Sequence, residues 1–183
     1  GNKVSYLLKP WKRAQNAVKN GNADVMFTIP TSEREQYSVV TDVPLFRLYF
    51  YLYTYTDHPR MNEIQQIKTV EDIKRLGLTF VSNAGNGWFK QNIESKGIKT
   101  FWVDDDSKIA RFLALKRADA VIDVASSFNL LISEHGLKDK IIQTDVRFGP
   151  TDFYILVGRK SFLIENIAEI NRALLEMESE TGD

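Results

Sequence analysis

The chain has 183 residues, 43% of them hydrophobic and 26% charged, enough to bury a sizeable core as one domain or two small lobes. Lys plus Arg and Asp plus Glu both number 24, so the net charge is zero and no global basic field exists to hold nucleic acid or anionic lipid. Cysteine is absent, which removes disulfides, thiol catalysis and Cys-rich zinc sites.

Along the chain, "KVSYLL" reads as a short strand. "PWKRAQNAVKN" has an apolar helical period (Trp11, Ala14, Ala17, Val18), a proline in its first turn and a closing glycine. "ADVMFTI" is an apolar run of the kind found in buried parallel sheets, so the three segments read as a βαβ unit. Lys12 and Arg13 fall in the first helical turn, where the helix dipole disfavours cations. Either they point into water, or the turn faces an anion; Trp11 beside them would supply an aromatic platform.

"PTSEREQYSVVTDVP" reads as a polar connection, and "LYFYLYTY" as a strand with Tyr49, Tyr51, Tyr53 and Tyr55 on one half-buried face. "TDHPRMNEIQQIK" reads as a loop and "TVEDIKRLG" as a helix capped by threonine and ended by glycine. Strands then alternate with helices: "LTFVSN", "WFKQNIESKG", "KTFWV", "DDDSKIARFLALKRA", "DAVIDV", "SSFNLLISEHG", "KIIQTDV", "DFYILVG" and a long amphipathic "SFLIENIAEINRALLEMES". This alternation predicts an α/β fold with mainly parallel sheets. The Asp104–Asp106 run lacks the glycine and closing glutamate of a calcium loop and reads as helix capping. His58 and His135 have neither metal-ligand spacing nor a triad context, so no metal, cofactor or nucleophilic chemistry is expected.

Three features point to small-molecule binding. The loop "NAGNGWF" takes a strand through Gly85, Asn86 and Gly87 into a helix, which makes it either a cradle of backbone N–H groups for a small carboxylate or merely a tight turn. Arg34, in "TSER" just past a strand end, either clamps a carboxylate or is an ordinary surface arginine. Asp123, at the end of "DAVID", either holds an ammonium group or caps the next helix.

In order, "PWKRAQNAVKNGNADVMF", "TSERE", "TDVP", "VEDIKRLGLTFVSNAGNGW" and "LALKRADAVIDV" resemble the family-3 extracellular solute-binding proteins, the amino-acid type of ABC-transporter receptor. The resemblance spans nearly the whole chain. It implies a type II periplasmic-binding fold of two lobes, 1–47 with 150–183 and 48–149, joined by a two-stranded hinge and closing on a polar ligand. It also implies roles: Arg34 grips the ligand carboxylate, Trp11 stacks on its side chain, Gly85, Asn86 and Gly87 offer amides, and Asp123 meets an ammonium. Arg13 and the Thr28 hydroxyl complete the expected ligand set.

The chain departs from that pattern in three places. The second-lobe loop lacks a serine or threonine pair, the "DAVID" acid sits one residue early, and "FTIPTSER" is short. Relatives begin with a further βα unit, so the expectation is either a truncated chain or an assembly in which a partner, a second copy or a swapped segment, covers the gap in the first lobe. The resemblance implies a non-enzymatic, periplasmic or extracytoplasmic bacterial protein working with a membrane permease or receptor, and no nucleic acid. Its alternatives are a receptor's ligand-sensing domain, a dehydratase of cyclic acids, and an accessory fragment acting through protein contacts.

Overall fold

The computed structural model describes residues 4–181. The chain divides into two compact units: the first 47 residues with the segment from Asp152 onward, and Leu48–Thr151.

The first unit opens with residues 4–10, which carry no regular structure. The strand expected over "KVSYLL" does not form: among the described residues nothing pairs with it, and Val4, Tyr6 and Leu8 are 72%, 84% and 94% exposed. An unpaired strand leaves its backbone groups without partners, so β-propensity alone does not hold it; Lys3 lies outside the described residues. Helix α1 (Trp11–Asn20) starts after Pro10 and ends at Gly21, whose φ of 81° is the left-handed conformation glycine adopts freely. Strand β1 (Val25–Thr28) follows, then a short helix α2 (Ser32–Glu35) and strand β2 (Ser38–Val40), where the sequence reads as plain connection. Thr31 caps α2, its Oγ1 accepting from Arg34 N at 3.3 Å.

Strand β7 (Ile141–Gly158) is continuous where the sequence shows two apolar runs. Its final residues lie between β1 and β2, with Val157 opposite both Val25 and Val39, and both pairings are antiparallel. The βαβ reading of this region is therefore corrected: an apolar run reports burial, and the direction of its neighbour is set by topology. Val18, Met26 and Leu156 form the buried core here, with Trp11, Tyr37, Val40 and Tyr154 packed against it. A short 3-10 turn (Phe162–Asn166) leads into α8 (Ile167–Thr181).

The second unit begins within β3 (Phe46–Tyr55), followed by α3 (Met61–Ile64) and α4 (Val70–Leu76). Thr69 and Asp72 cap α4 reciprocally, through Asp72 N to Thr69 Oγ1 at 3.2 Å and Thr69 N to Asp72 Oδ2 at 3.0 Å. Then come β4 (Phe80–Asn83), α5 (Gly87–Asn92), β5 (Thr100–Val103), α6 (Asp106–Ala114), β6 (Ala120–Val124) and α7 (Ala125–Glu134). The first part of β7, β3, β6, β4 and β5 lie side by side in that order. β4 is parallel to β5 and β6, whereas β3 is antiparallel to β6, so the α/β class holds with mixed rather than mainly parallel sheets.

Tyr53, Val81, Ile109, Leu113, Val121, Phe128 and Ile132 share one core, with Tyr53 and Phe128 edge to face at 4.7 Å. Phe50, Leu52 and Thr54 are buried as well as Tyr53 and Tyr55, so β3 is covered on both faces: the tyrosines share one face, and the opposite face is packed too. Asp105 caps α6 through Ser107 N at 2.9 Å, and Lys108 pairs with Asp104 at 2.6 Å, which accounts for the acidic run.

Gly158 shows how closely β7 approaches α1. A Cβ there would lie 3.0 Å from Val18 Cγ1 and 3.1 Å from Val18 O. Gly158→Ala is expected to cost about 1–3 kcal/mol by overpacking, read as a lower urea midpoint in tryptophan fluorescence with an unchanged slope.

Candidate functional site

In the first unit, the helical period of α1 places Trp11, Gln15 and Val18 on one face. Arg34, on α2, is only 3% exposed. Its Nε donates to Gln15 Oε1 at 3.3 Å, and its Nη1 donates to Thr28 Oγ1 at 3.2 Å and Ile29 O at 2.6 Å. The Trp11 ring covers the guanidinium at 5.3 Å. Burial lowers the Arg34 pKa from its ordinary value, while Tyr37 and Glu33 act the other way. The group stays charged, since arginine does not deprotonate in proteins.

Of the residues singled out in the sequence, Trp11, Thr28 and Arg34 are thus brought together. Arg13 is exposed, and the neighbouring Lys12 pairs with Glu33 at 3.3 Å, so that cation at the helix start has an acidic partner. Gln15 was not foreseen, because polar residues inside an apolar period read as noise.

In the second unit, the pairs Phe80↔Thr100 and Phe80↔Ala120 run parallel, which sets Asn83, Val103 and Asp123 level at the carboxyl ends of β4, β5 and β6. Open α/β sheets place ligands at such ends. The turn after β4 contains Gly85 at φ 92°, a conformation that favours glycine. Asn86 N donates to Asn83 O at 3.2 Å, Asn86 Oδ1 accepts from Phe89 N at 3.0 Å, and Asn86 Nδ2 donates to Ser82 Oγ at 3.0 Å. The Asn86 side chain therefore caps α5. The helical pattern itself supplies no acceptor for the N–H groups of Gly87 and Trp88. Trp88 stacks on Phe50 with ring centres 4.5 Å apart.

Asn83 Nδ2 donates to Asp106 Oδ1 at 2.6 Å, and Asn83 Oδ1 is a buried side-chain atom without a hydrogen-bond partner among the described residues. Neither Asn83 nor Asp106 was singled out in the sequence; the orphaned acceptor is visible only once the fold closes around it. Asp123 Oδ1 accepts from Val124 N at 2.7 Å. Burial, with a contribution from Asp106, pushes the Asp123 carboxyl up to about 7.

No protein-family model matches the sequence, and no curated protein matches it. Among solved structures, an ancestral arginine-binding protein bound to glutamine superposes with a TM-score of 0.72 at 22% identity, over 98% of this chain and 76% of that one. An arginine transport-system periplasmic binding protein from Legionella pneumophila gives 0.70 at 19% identity, over 93% and 74%. The fold is that of periplasmic binding proteins. A histidine kinase sensor domain with similarity to periplasmic binding proteins scores 0.72 at 18% identity, over 94% and 71%. These neighbours are binding proteins and a sensor, and at such identities they establish architecture alone. Among the described residues no helix is long and apolar enough to cross a membrane.

Asp123 gives a pH prediction. Its folded pKa, about 7, lies above the ordinary carboxylate value of about 4, so the folded state keeps a proton that the unfolded chain has lost. Its contribution to stability therefore falls as pH rises through that interval. Asp123→Asn is expected to match the wild-type melting temperature near pH 4 and exceed it by a few degrees near pH 8, measured by thermal unfolding across that range.

Proposed function

We propose that this chain binds a small carboxylate-bearing solute, an amino acid or related polar metabolite, in an extracytoplasmic compartment. The observation that carries the reading is the buried Arg34 guanidinium, held by an amide, a hydroxyl and a peptide oxygen and covered by Trp11. A cation is costly to bury, and a ligand carboxylate is the complementary charge. Both units contribute to the proposed ligand set. Trp11, Arg13, Thr28 and Arg34 come from the first, and Gly85, Asn86, Gly87 and Asp123 from the second.

Delivery to a membrane permease is the leading role, supported by the likeness to arginine-binding proteins. A second reading, the ligand-sensing domain of a receptor, is favoured by the equal structural likeness to a histidine kinase sensor domain. Gene sequence encoding membrane helices contiguous with this chain would select the receptor.

A thermal-shift screen against the amino acids and small organic acids tests the reading, because a ligand of the folded state raises apparent stability. At least one carboxylate is expected to raise the melting temperature in a concentration-dependent way; no shift with any of them would overturn the proposal. Arg34→Lys keeps the charge and loses the planar fork, and should weaken the hit by about 1.5–3 kcal/mol by isothermal titration.

A further inference from the structure

Gln15 is 4% exposed, in a helix whose other buried residues are Ala17 and Val18. A buried amide is tolerated when it is hydrogen-bonded, and this one accepts from Arg34 Nε at 3.3 Å. The guanidinium is thereby gripped from two sides. α1 holds Nε, while Thr28 Oγ1 at 3.2 Å and Ile29 O at 2.6 Å, at the end of β1, hold Nη1. A planar group fixed at two of its nitrogens has its third nitrogen fixed as well. The Trp11 ring, one helical turn before Gln15, lies over the same plane at 5.3 Å.

The chemistry at position 15 matters as much as the contact. Glutamate has the same length and would make a stronger, charge-assisted bond to Nε, and it would cancel the arginine charge in doing so. Glutamine orients the guanidinium without neutralising it.

We propose that Gln15 is a positioning and charge-setting residue for anion capture: it locks the plane of the Arg34 guanidinium from α1 while adding no negative charge. This inference rests on the carboxylate-binding reading given above.

Two variants separate its parts. Gln15→Met keeps the length and removes the acceptor; Gln15→Glu keeps the acceptor and adds the charge. The first readout needs no ligand: solvent exchange of the Arg34 Nε proton by NMR, the signal being assigned by its loss in Arg34→Lys. Exchange is expected to be slow in the wild type, at least about tenfold faster in Gln15→Met, and no faster than wild type in Gln15→Glu. The second readout is affinity for L-glutamine and L-glutamate by isothermal titration. A drop of about tenfold is expected for Gln15→Met and a larger one for Gln15→Glu, even though its guanidinium stays locked.

A purely structural glutamine would not give that split between a locked arginine and lost affinity. Unchanged exchange in Gln15→Met would overturn the positioning role, and wild-type affinity in Gln15→Glu would overturn the charge-setting role. If Gln15→Met does not fold, wild-type exchange as fast as that of a solvent-exposed arginine would overturn the positioning role by itself. A wild type that binds no carboxylate in the screen sinks the functional reading instead, and the exchange measurement still decides the positioning.

Discussion

The arrangement on which the first unit's chemistry depends is a cation kept out of water without an acid at any of its three identified hydrogen-bond acceptors. Gln15, Thr28 and the Ile29 carbonyl solvate the Arg34 guanidinium with neutral oxygens. Such bonds, modest in net energy when both partners have water to return to, are expensive to leave unmade once buried. Helix α1, strand β1 and helix α2 are therefore tied to one another through a single side chain. The tie explains why a short polar stretch such as "TSER" is ordered: Thr31 caps it, and Arg34, in its last turn, is anchored elsewhere.

The second unit is organised differently, around the carboxyl ends of parallel strands. There the charges are acidic. Asp123 keeps its proton up to about pH 7 because burial and the nearby Asp106 disfavour ionisation, and Asn83 turns its Nδ2 to Asp106 at 2.6 Å. One unit thus concentrates a fixed positive charge, and the other holds a carboxyl that can be either neutral or negative near physiological pH.

Much of the fold was legible from local signals. Pro10 and Gly21 bound α1, Thr69 and Gly77 bound α4, and Asp105 starts α6, each because a terminus must satisfy its own backbone groups. What stayed hidden depended on partners distant in sequence. "KVSYLL" has strand composition but no described neighbour to pair with. "ADVMFTI" has a buried strand's composition, which does not encode its antiparallel direction. Gly149 and Pro150 punctuate β7 in the sequence, yet the strand runs on through them. For the site, the carboxylate-binding chemistry of arginine drew attention to Arg34, and Trp11 stood out as an aromatic platform at the start of α1. Gln15 carries no such label, and only its burial against Nε reveals it.

The placement of β7 also bears on how the protein folds. In the first unit its last residues are the middle strand, paired on one edge with β1 and on the other with β2. The second unit, in contrast, is one unbroken stretch of chain. That stretch holds all its own strands, whereas β1 and β2 need a central partner more than a hundred residues further along the chain. Chain topology therefore favours a folding order: the inserted unit can condense first, and the sheet beside Arg34 closes last, once the end of β7 has reached β1 and β2.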